Sequence, residues 1–533
     1  MNKRTLFILL TILLLVMLLV GIKKRSHVLT SSNLYGGTLV WGAVNKPTII
    51  NPILTTQSIS MGVINLIFNG LVRINSKGEI EPDLAQSWDI SQDGLVYTFH
   101  LREGIKFHDG RECTAYDVKF TYDKIVDPDI NSPFKSFYQL VREFKAVDKL
   151  TFQAALRKPL FSFIYRFTRE IVPKHILENK DLSRCAFNYH PIGTGPFKFK
   201  EWKQDGRIVL DYNPDYYEGR PYLDRVIAKT YTDSRNLWAA LMRGEVDFVL
   251  YIGRQDYEIV RDDPAFKAYN YFFDFYYTLI YNLNDPVLAD KRVRYALAYG
   301  IDRKELIEKV AFGYGLECNG PFYPDSLGFN PDVEPFKYSP QRSRQLLAQA
   351  GWEDTDGDGI LGKEAKELEL SILVDERNDI YKNIIMVLRQ QLQRIGVKTQ
   401  VQLYNDDSEL TDKFLAQNKP QAHLKMLMAG MDPDQQAPHD WCSEMPRGLG
   451  KLWIYRNDEV NRLFMTGKVS RDKEQRDLIY RRIHRLIYED QPACFLYFPF
   501  IFHAVSNKFE NTDDFFTVNM PFYTIKDWRL KSN

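Results

Sequence analysis

The sequence predicts an α/β protein built from mixed sheets with helices on both faces. Two passages carry that reading. In LELSILVD, the apolar residues Leu368, Leu370, Ile372 and Val374 recur at every second position, the period of a strand. A helical pattern follows, with Ile380, Ile384, Leu388 and Leu392 in register and Gly396 closing it, and VKTQVQL then alternates again. Strand, helix and strand in succession imply a parallel pair with the helix lying on the sheet. The second passage is TDSRNLWAALMRGEVDFVL. Asp233 suits an N-cap, Leu237, Ala240 and Leu241 share one face, Gly244 stops the helix, and Val246–Leu250 reads as a strand.

The other elements follow in chain order. MNKRTLFILLTILLLVMLLVGIKKR has a basic start and an apolar run from Leu6 to Ile22. That run is at the short end of what spans a bilayer as a helix. Neither a small-residue cleavage pattern nor a lipid-accepting cysteine follows it, and Lys23, Lys24 and Arg25 come next. The reading is an uncleaved membrane anchor over residues 6–22 rather than a cleaved signal peptide. SSNLYGGTLVWG is a linker entering a first strand, Thr38–Trp41. INLIFNGLV (Ile64–Val72) has helical apolar spacing that ends near Gly70, and LVYTFHL (Leu95–Leu101) reads as a strand. In GIDRKEL, Asp302 and Glu305 have the spacing of a capping box.

Composition narrows the function. With 533 residues the chain can hold two or three well-filled domains. Net charge is +1. The first 25 residues contribute only basic groups, so the remainder is slightly acidic and has no clustered cations for nucleic acid. Aromatic residues make up 14%, a supply of Tyr and Phe that suits ligand-gripping surfaces as well as core. Cys113, Cys185, Cys318, Cys442 and Cys494 are far apart and form no CxxC pair, which excludes a zinc ribbon or redox motif.

GIKFHDGRECTAYDVKF gathers His108, Asp109, Glu112, Cys113 and Asp117 within a short span. The local pattern is a turn at Arg102–Gly104, a short strand Ile105–Phe107, a turn at His108–Gly110 and a helix from about Ala115. The acids fall at turns and at a helix start, where carboxylates satisfy backbone N–H groups. They do not converge by spacing, so a scaffold role is the better reading. In EDTDGDGILGKEAKELEL, Asp354, Asp356, Asp358 and Gly359 match the first half of a calcium loop, but its twelfth position is Ala365 rather than a glutamate. The alternatives are a weak calcium site and an acidic solvated turn. Gly357, Gly362 and Lys363 imitate a P-loop, yet Glu364 stands where the magnesium ligand belongs. No HExxH, GxSxG or GxGxxG occurs. His439, Asp440 and Cys442 fall short of the fixed ligand set a zinc site needs; a structural or ligand-contacting role fits them better.

Glu81–Ile125, EPDLAQSWDISQDGLVYTFHLREGIKFHDGRECTAYDVKFTYDKI, closely resembles the signature of the family 5 extracellular solute-binding proteins. These are the oligopeptide- and dipeptide-binding proteins of ABC importers. The similarity continues in NPILTTQSISMGVINLIFNGLVRIN, PIGTGPFKFKEW, YNLNDPVLADKRVRYALAYGIDRKELIEKV and YRRIHRLIYEDQPACFLYFP, in the expected order, and covers nearly all of the chain after residue 34.

The resemblance implies a two-lobed periplasmic-binding-protein fold of type II with an extra small domain. Lobe one would be 34–77, 190–281 and 508–533, the small domain 78–189 and lobe two 282–507, after an N-terminal segment 1–33. Hinges are expected near Tyr281–Asn284 and Ala504–Asn507. The implied function is non-catalytic capture of an oligopeptide or dipeptide between hinged lobes, for delivery to ABC permease subunits at the periplasmic or extracytoplasmic face of the membrane. No cofactor and no nucleic acid are implied. A nickel chelate, an oligosaccharide or an opine-like compound is the alternative solute, and an enzyme is the alternative of a different class. Family members that bind free amino ends do so with an aspartate in lobe two. Asp432 is its best match in MLMAGMDPDQQAPHDWCSE, with Asp434 second, and His439 and Trp441 lie in the same stretch. Asn45, Lys46 and Thr48 of AVNKPTIINP would supply one wall, and Tyr276 and Tyr277 another. The sequence departs from the family at Met428–Met431, just before the aspartate, where a tryptophan is frequent.

Overall fold

A computed structural model describes residues 34–272, 274–324, 326–415, 419–430, 432–445, 455–513 and 522–532. The apolar run Leu6–Ile22 lies outside the described residues. Among these, no helix is long and apolar enough to cross a membrane. The chain divides into two compact units. The first holds the described residues up to Lys158, then Ile164–Tyr269 and Phe502 onward; the second holds Pro159–Phe163 and Asn270–Ile501.

In the first unit, β1 (Thr38–Val44) leads through a loop that is exposed at its start and buried at Ile50–Ile53 to helix α1 (Ser58–Ile67). The helix lies earlier than the apolar spacing of Ile64–Val72 predicts. Tertiary hydrogen bonds end it: Leu71 N–H donates to Phe167 O at 3.0 Å and Ile171 N–H donates to Asn69 O at 2.9 Å. The spacing also cannot distinguish the last turn of a helix from the short strand Val72–Ile74 that follows.

Strands β2 (Ala85–Ile90), β3 (Val96–Leu101), β4 (Val141–Ala146) and β5 (Thr151–Leu156) form an antiparallel sheet in the order β2-β3-β5-β4. Helix α2 (Ala115–Val126) belongs to the same region and starts with a capping box between Thr114 and Asp117. The short strand expected at Ile105–Phe107 is reduced to a single bridge between Lys106 and Glu112.

The second sheet of this unit is mixed. Strands β6 (Phe197–Trp202), β7 (Ile208–Tyr212) and β8 (Arg225–Tyr231) are antiparallel neighbours, and β1 runs parallel to β8. Helix α3 (Ser234–Met242) is capped by Asp233, which accepts from Asn236 N–H at 2.9 Å, and buries Leu237, Ala240 and Leu241, the face predicted for it. Strand β9 (Phe248–Val249) is shorter than predicted and pairs parallel to β1.

In the second unit, β10 (Phe275–Tyr281) precedes helices α4 (Lys291–Gly300) and α5 (Arg303–Ala311). Asp302 caps α5, accepting from Glu305 N–H at 3.0 Å. Strands β11 (Glu369–Asp375) and β12 (Lys398–Tyr404) run parallel, joined by helix α6 (Asp379–Arg394), which is the predicted strand–helix–strand unit. Ile384, Leu388 and Leu392 bury against the core shared with Leu370, Ile372 and Val374, whereas Ile380 in the first turn stays exposed. Strand β13 (Ala422–Met428) lies between β11 and β10. Helix α7 (Asp458–Val469) packs on α8 (Lys473–Asp490), and strand β14 (Ala493–Ser506) follows. The N-terminal half of β14 pairs with β10 in this unit, and Ala504 and Val505 near its end pair with β9 in the first unit.

PIGTGPFKFKEW is explained by sterics. Gly195 N–H donates to Ile67 O at 2.7 Å. A Cβ on Gly193 would lie 2.1 Å from Ile67 O, and one on Gly195 2.5 Å from Ile67 C. Both obstacles are backbone and cannot swing away. Gly193→Ala is therefore expected to lower stability by at least about 1–3 kcal/mol, read as a lower urea midpoint with the dependence on denaturant unchanged.

Candidate ligand site

The histidine and acids of GIKFHDGRECTAYDVKF do not form a catalytic centre. His108 is half-buried, with Nε2 3.1 Å from Gly195 O and Nδ1 accepting from Gly193 N–H at 3.3 Å. Burial lowers its pKa to about 4, so the ring is neutral. Asp109 pairs with His175 at 2.7 Å, Glu112 with Lys149 at 2.7 Å, and Asp117 caps α2 while accepting from Lys174 N–H at 2.9 Å. Each acid has its own partner.

The acidic loop brings ligand atoms of Asp354, Asp356 and Asp358 within 4.8 Å of one another, and all three residues are exposed. Asp354 accepts from Gly357 N–H and Gly359 N–H at 2.8 and 3.2 Å, and Asp358 from Ile360 N–H at 2.7 Å. These bonds hold the turn itself. A cavity of about 30 Å³ in the first unit is lined by Asn69, Arg73, Asp83, Tyr216, Phe68 and Phe522 among others. It has room for about one water and none for a peptide.

Asn45, Lys46 and Thr48 stand exposed after β1, with Asn45 in the left-handed region at φ 71°. Gln57 pins this loop, a role the sequence reading missed. Its Oε1 accepts from Thr48 N–H at 2.9 Å and its Nε2 donates to Lys46 O at 2.9 Å.

The remaining predicted residues belong to the second unit. Alternation along β10 sends Tyr276 and Tyr277 to opposite faces. Tyr276 is fully buried, and its hydroxyl accepts from Trp441 Nε1 at 3.1 Å. Tyr277 lies 5.0 Å from the Tyr497 ring and 6.0 Å from that of Tyr381. His439 is exposed on the short helix Ala437–Trp441.

Asp432 and Asp434 are both buried, and both meet Arg476 on α8. Arg476 Nη1 and Nη2 donate to the two oxygens of Asp432 at 2.9 and 2.8 Å, and Nη2 also reaches Asp434 at 2.6 Å. Its Nε donates to Gly467 O at 3.2 Å, and Tyr480 donates its hydroxyl to Asp434. The planar guanidinium suits this fork-like contact. Two carboxylates on one guanidinium leave a surplus negative charge. Burial, then the neighbouring Asp432, pushes Asp434 up to about 6 against the pull of Arg476. No sequence signal links Arg476 to this loop, because the partner comes from a helix more than forty residues away.

Comparison with known proteins places the chain in a family. The model of the bacterial extracellular solute-binding proteins, family 5, matches residues 79–446. The chain belongs to this family. It is 32% identical to the oligopeptide-binding protein AppA of Bacillus subtilis (strain 168), covering 93% of this chain and 92% of AppA. The structure of Bacillus subtilis AppA in complex with a nonapeptide superposes with TM-score 0.69 and 31% identity, covering 93% of this chain and 99% of AppA. NikZ from Campylobacter jejuni in complex with Ni(L-His) superposes with TM-score 0.72 and 26% identity, covering 92% of this chain and 99% of NikZ. The fold is that of the type II periplasmic binding proteins.

Arg476→Met would leave two buried carboxylates without their cation, so this family member should lose about 3–5 kcal/mol of stability. The defect should be larger at pH 8 than at pH 5. With the cation gone, the Asp434 carboxyl, already pushed up to about 6 by burial and by Asp432, rises further in the folded state. The folded variant then binds more protons than the unfolded chain, and its stability increases as pH falls. Chemical unfolding at the two pH values checks this.

Proposed function

We propose that this chain captures peptides outside the cytoplasm, without altering them, and delivers them to the permease subunits of an ABC importer. The observation that carries the reading is the match along nearly the whole chain to a Bacillus subtilis oligopeptide-binding protein whose structure holds a nonapeptide. An extended peptide offers regular N–H and C=O groups that strand edges and loops can pair. In this reading Asn45, Lys46, Thr48 and His439 contact the peptide. Tyr276, Tyr277 and Trp441 set the shape of the wall from behind, since their buried rings pack within the second unit. Met426 and Met428, on one face of β13 and both exposed, supply adaptable apolar surface that tolerates varied side chains.

A second reading, capture of a small nickel chelate, has support from the similarity to NikZ, whose structure holds Ni(L-His). Native mass spectrometry of the purified protein separates the two. A co-purifying series of peptide masses is expected. A single small ligand with the isotope pattern of nickel, or a sugar mass, would overturn the peptide reading.

We further propose that Leu6–Ile22 stays attached and anchors the protein to the membrane. The reasons are its apolar length, the basic residues on both sides and the missing cleavage and lipidation signals. Membrane fractionation followed by N-terminal sequencing is expected to recover the intact segment in the membrane fraction. A soluble form starting near Ser31 would refute the anchor.

A further inference from the structure

Every carboxylate oxygen of the pair Asp432 and Asp434 is occupied from inside the fold. Asp432 Oδ1 accepts from Arg476 Nη2 at 2.8 Å and from Asp434 N–H at 2.9 Å, and its Oδ2 accepts from Arg476 Nη1 at 2.9 Å. Asp434 Oδ2 accepts from Arg476 Nη2 at 2.6 Å, and its Oδ1 accepts from the Tyr480 hydroxyl. The two acidic side chains are 4% and 0% exposed, and that of Arg476 is 7% exposed. Arg476 is fixed in turn, with Nε on Gly467 O at 3.2 Å and its guanidinium carbon 5.5 Å from the centre of the Tyr480 ring.

A ligand ammonium could reach these acids only by displacing the guanidinium. It brings a point charge where Arg476 brings a planar fork already matched to the carboxylates. The exchange would also leave Arg476 buried without its acids, and a broken buried pair is costly. Asp274, the other buried acid beside this segment, turns its carboxylate onto its own backbone N–H. A carboxylate that stays in water adds little to the affinity of an ammonium.

We propose that this chain takes peptides without reading their amino end, so that N-blocked peptides belong to its substrate class beside free ones; the inference rests on the peptide reading above. Asp432 and Asp434 then tie the segment after β13 to helix α8 instead of holding a ligand end. Recognition falls to main-chain groups, which every residue of an extended peptide offers. Those groups are the same whether the amino end is free or acylated.

The test uses the intact protein and a nonapeptide pool of mixed sequence, offered with free amino ends and, in a second isotope label, N-acetylated. The two pools compete, and retained peptide is quantified by mass spectrometry. The unmodified protein is expected to retain them within about 5-fold of each other, the range a solvated charge pair covers. Any larger preference for the free-amine pool would overturn the proposal and leave peptide capture standing, because only a desolvated charge pair supplies it. Asp432→Asn should lower the melting temperature of the ligand-free protein and leave the ratio of the two pools unchanged. A changed ratio in this variant, or an unchanged melting temperature, would also overturn the proposal. Should Asp432→Asn fail to fold, the competition on the unmodified protein decides alone. Retention of neither pool would remove the peptide reading, and this inference with it.

Discussion

A buried strand must pair every N–H and C=O it carries, and β14 makes that requirement the organising constraint of this protein. It is 14 residues long and buried over most of its length. Its first half hydrogen-bonds with β10 in the second unit, and its end pairs with β9 in the first. The approach to it is fixed by arginines whose charge is spent on backbone carbonyls. Arg294 donates to Gln491 O at 3.0 Å and Arg303 to Phe495 O at 2.8 Å. Gln491 takes the left-handed conformation, φ 46°, that turns helix α8 into the strand. The motif YRRIHRLIYEDQPACFLYFP is thus a helix, its stop and the strand that both sheets need.

The same rule, applied to charge instead of backbone, shapes the second unit. Water stabilises a carboxylate strongly, and the interior does so only through a matched partner. Arg476 supplies that partner for Asp432 and Asp434 together, at distances between 2.6 and 2.9 Å. The contact ties Asp432 and Asp434, which follow β13, to helix α8. Trp441 and Tyr276 continue the arrangement through their hydrogen bond.

Stretches that look chemically rich can be scaffold. His108 is held between Gly193 and Gly195, and the acids around it cap a helix or form surface pairs. The glycines of PIGTGPF admit the backbone of α1 at a distance no side chain would permit. Motif strength here reports close packing of backbone on backbone.

The sequence alone determined the periodic and local features. The parallel pair β11–α6–β12, the cap and buried face of α3, and the cap of α5 follow from alternation, helical spacing and side chains that bond their own backbone a few residues away. The order of its motifs also carried the family. Tertiary structure decided what depends on residues distant in the chain. It ended α1 at Ile67 by pairing Asn69 and Leu71 with Ile171 and Phe167. It joined Asp432 to Arg476 and left Asp274, which no spacing distinguishes from any other aspartate, buried with an unpartnered oxygen. Local sequence encodes the nearest hydrogen bond, whereas the cost of a buried charge is set by everything packed around it.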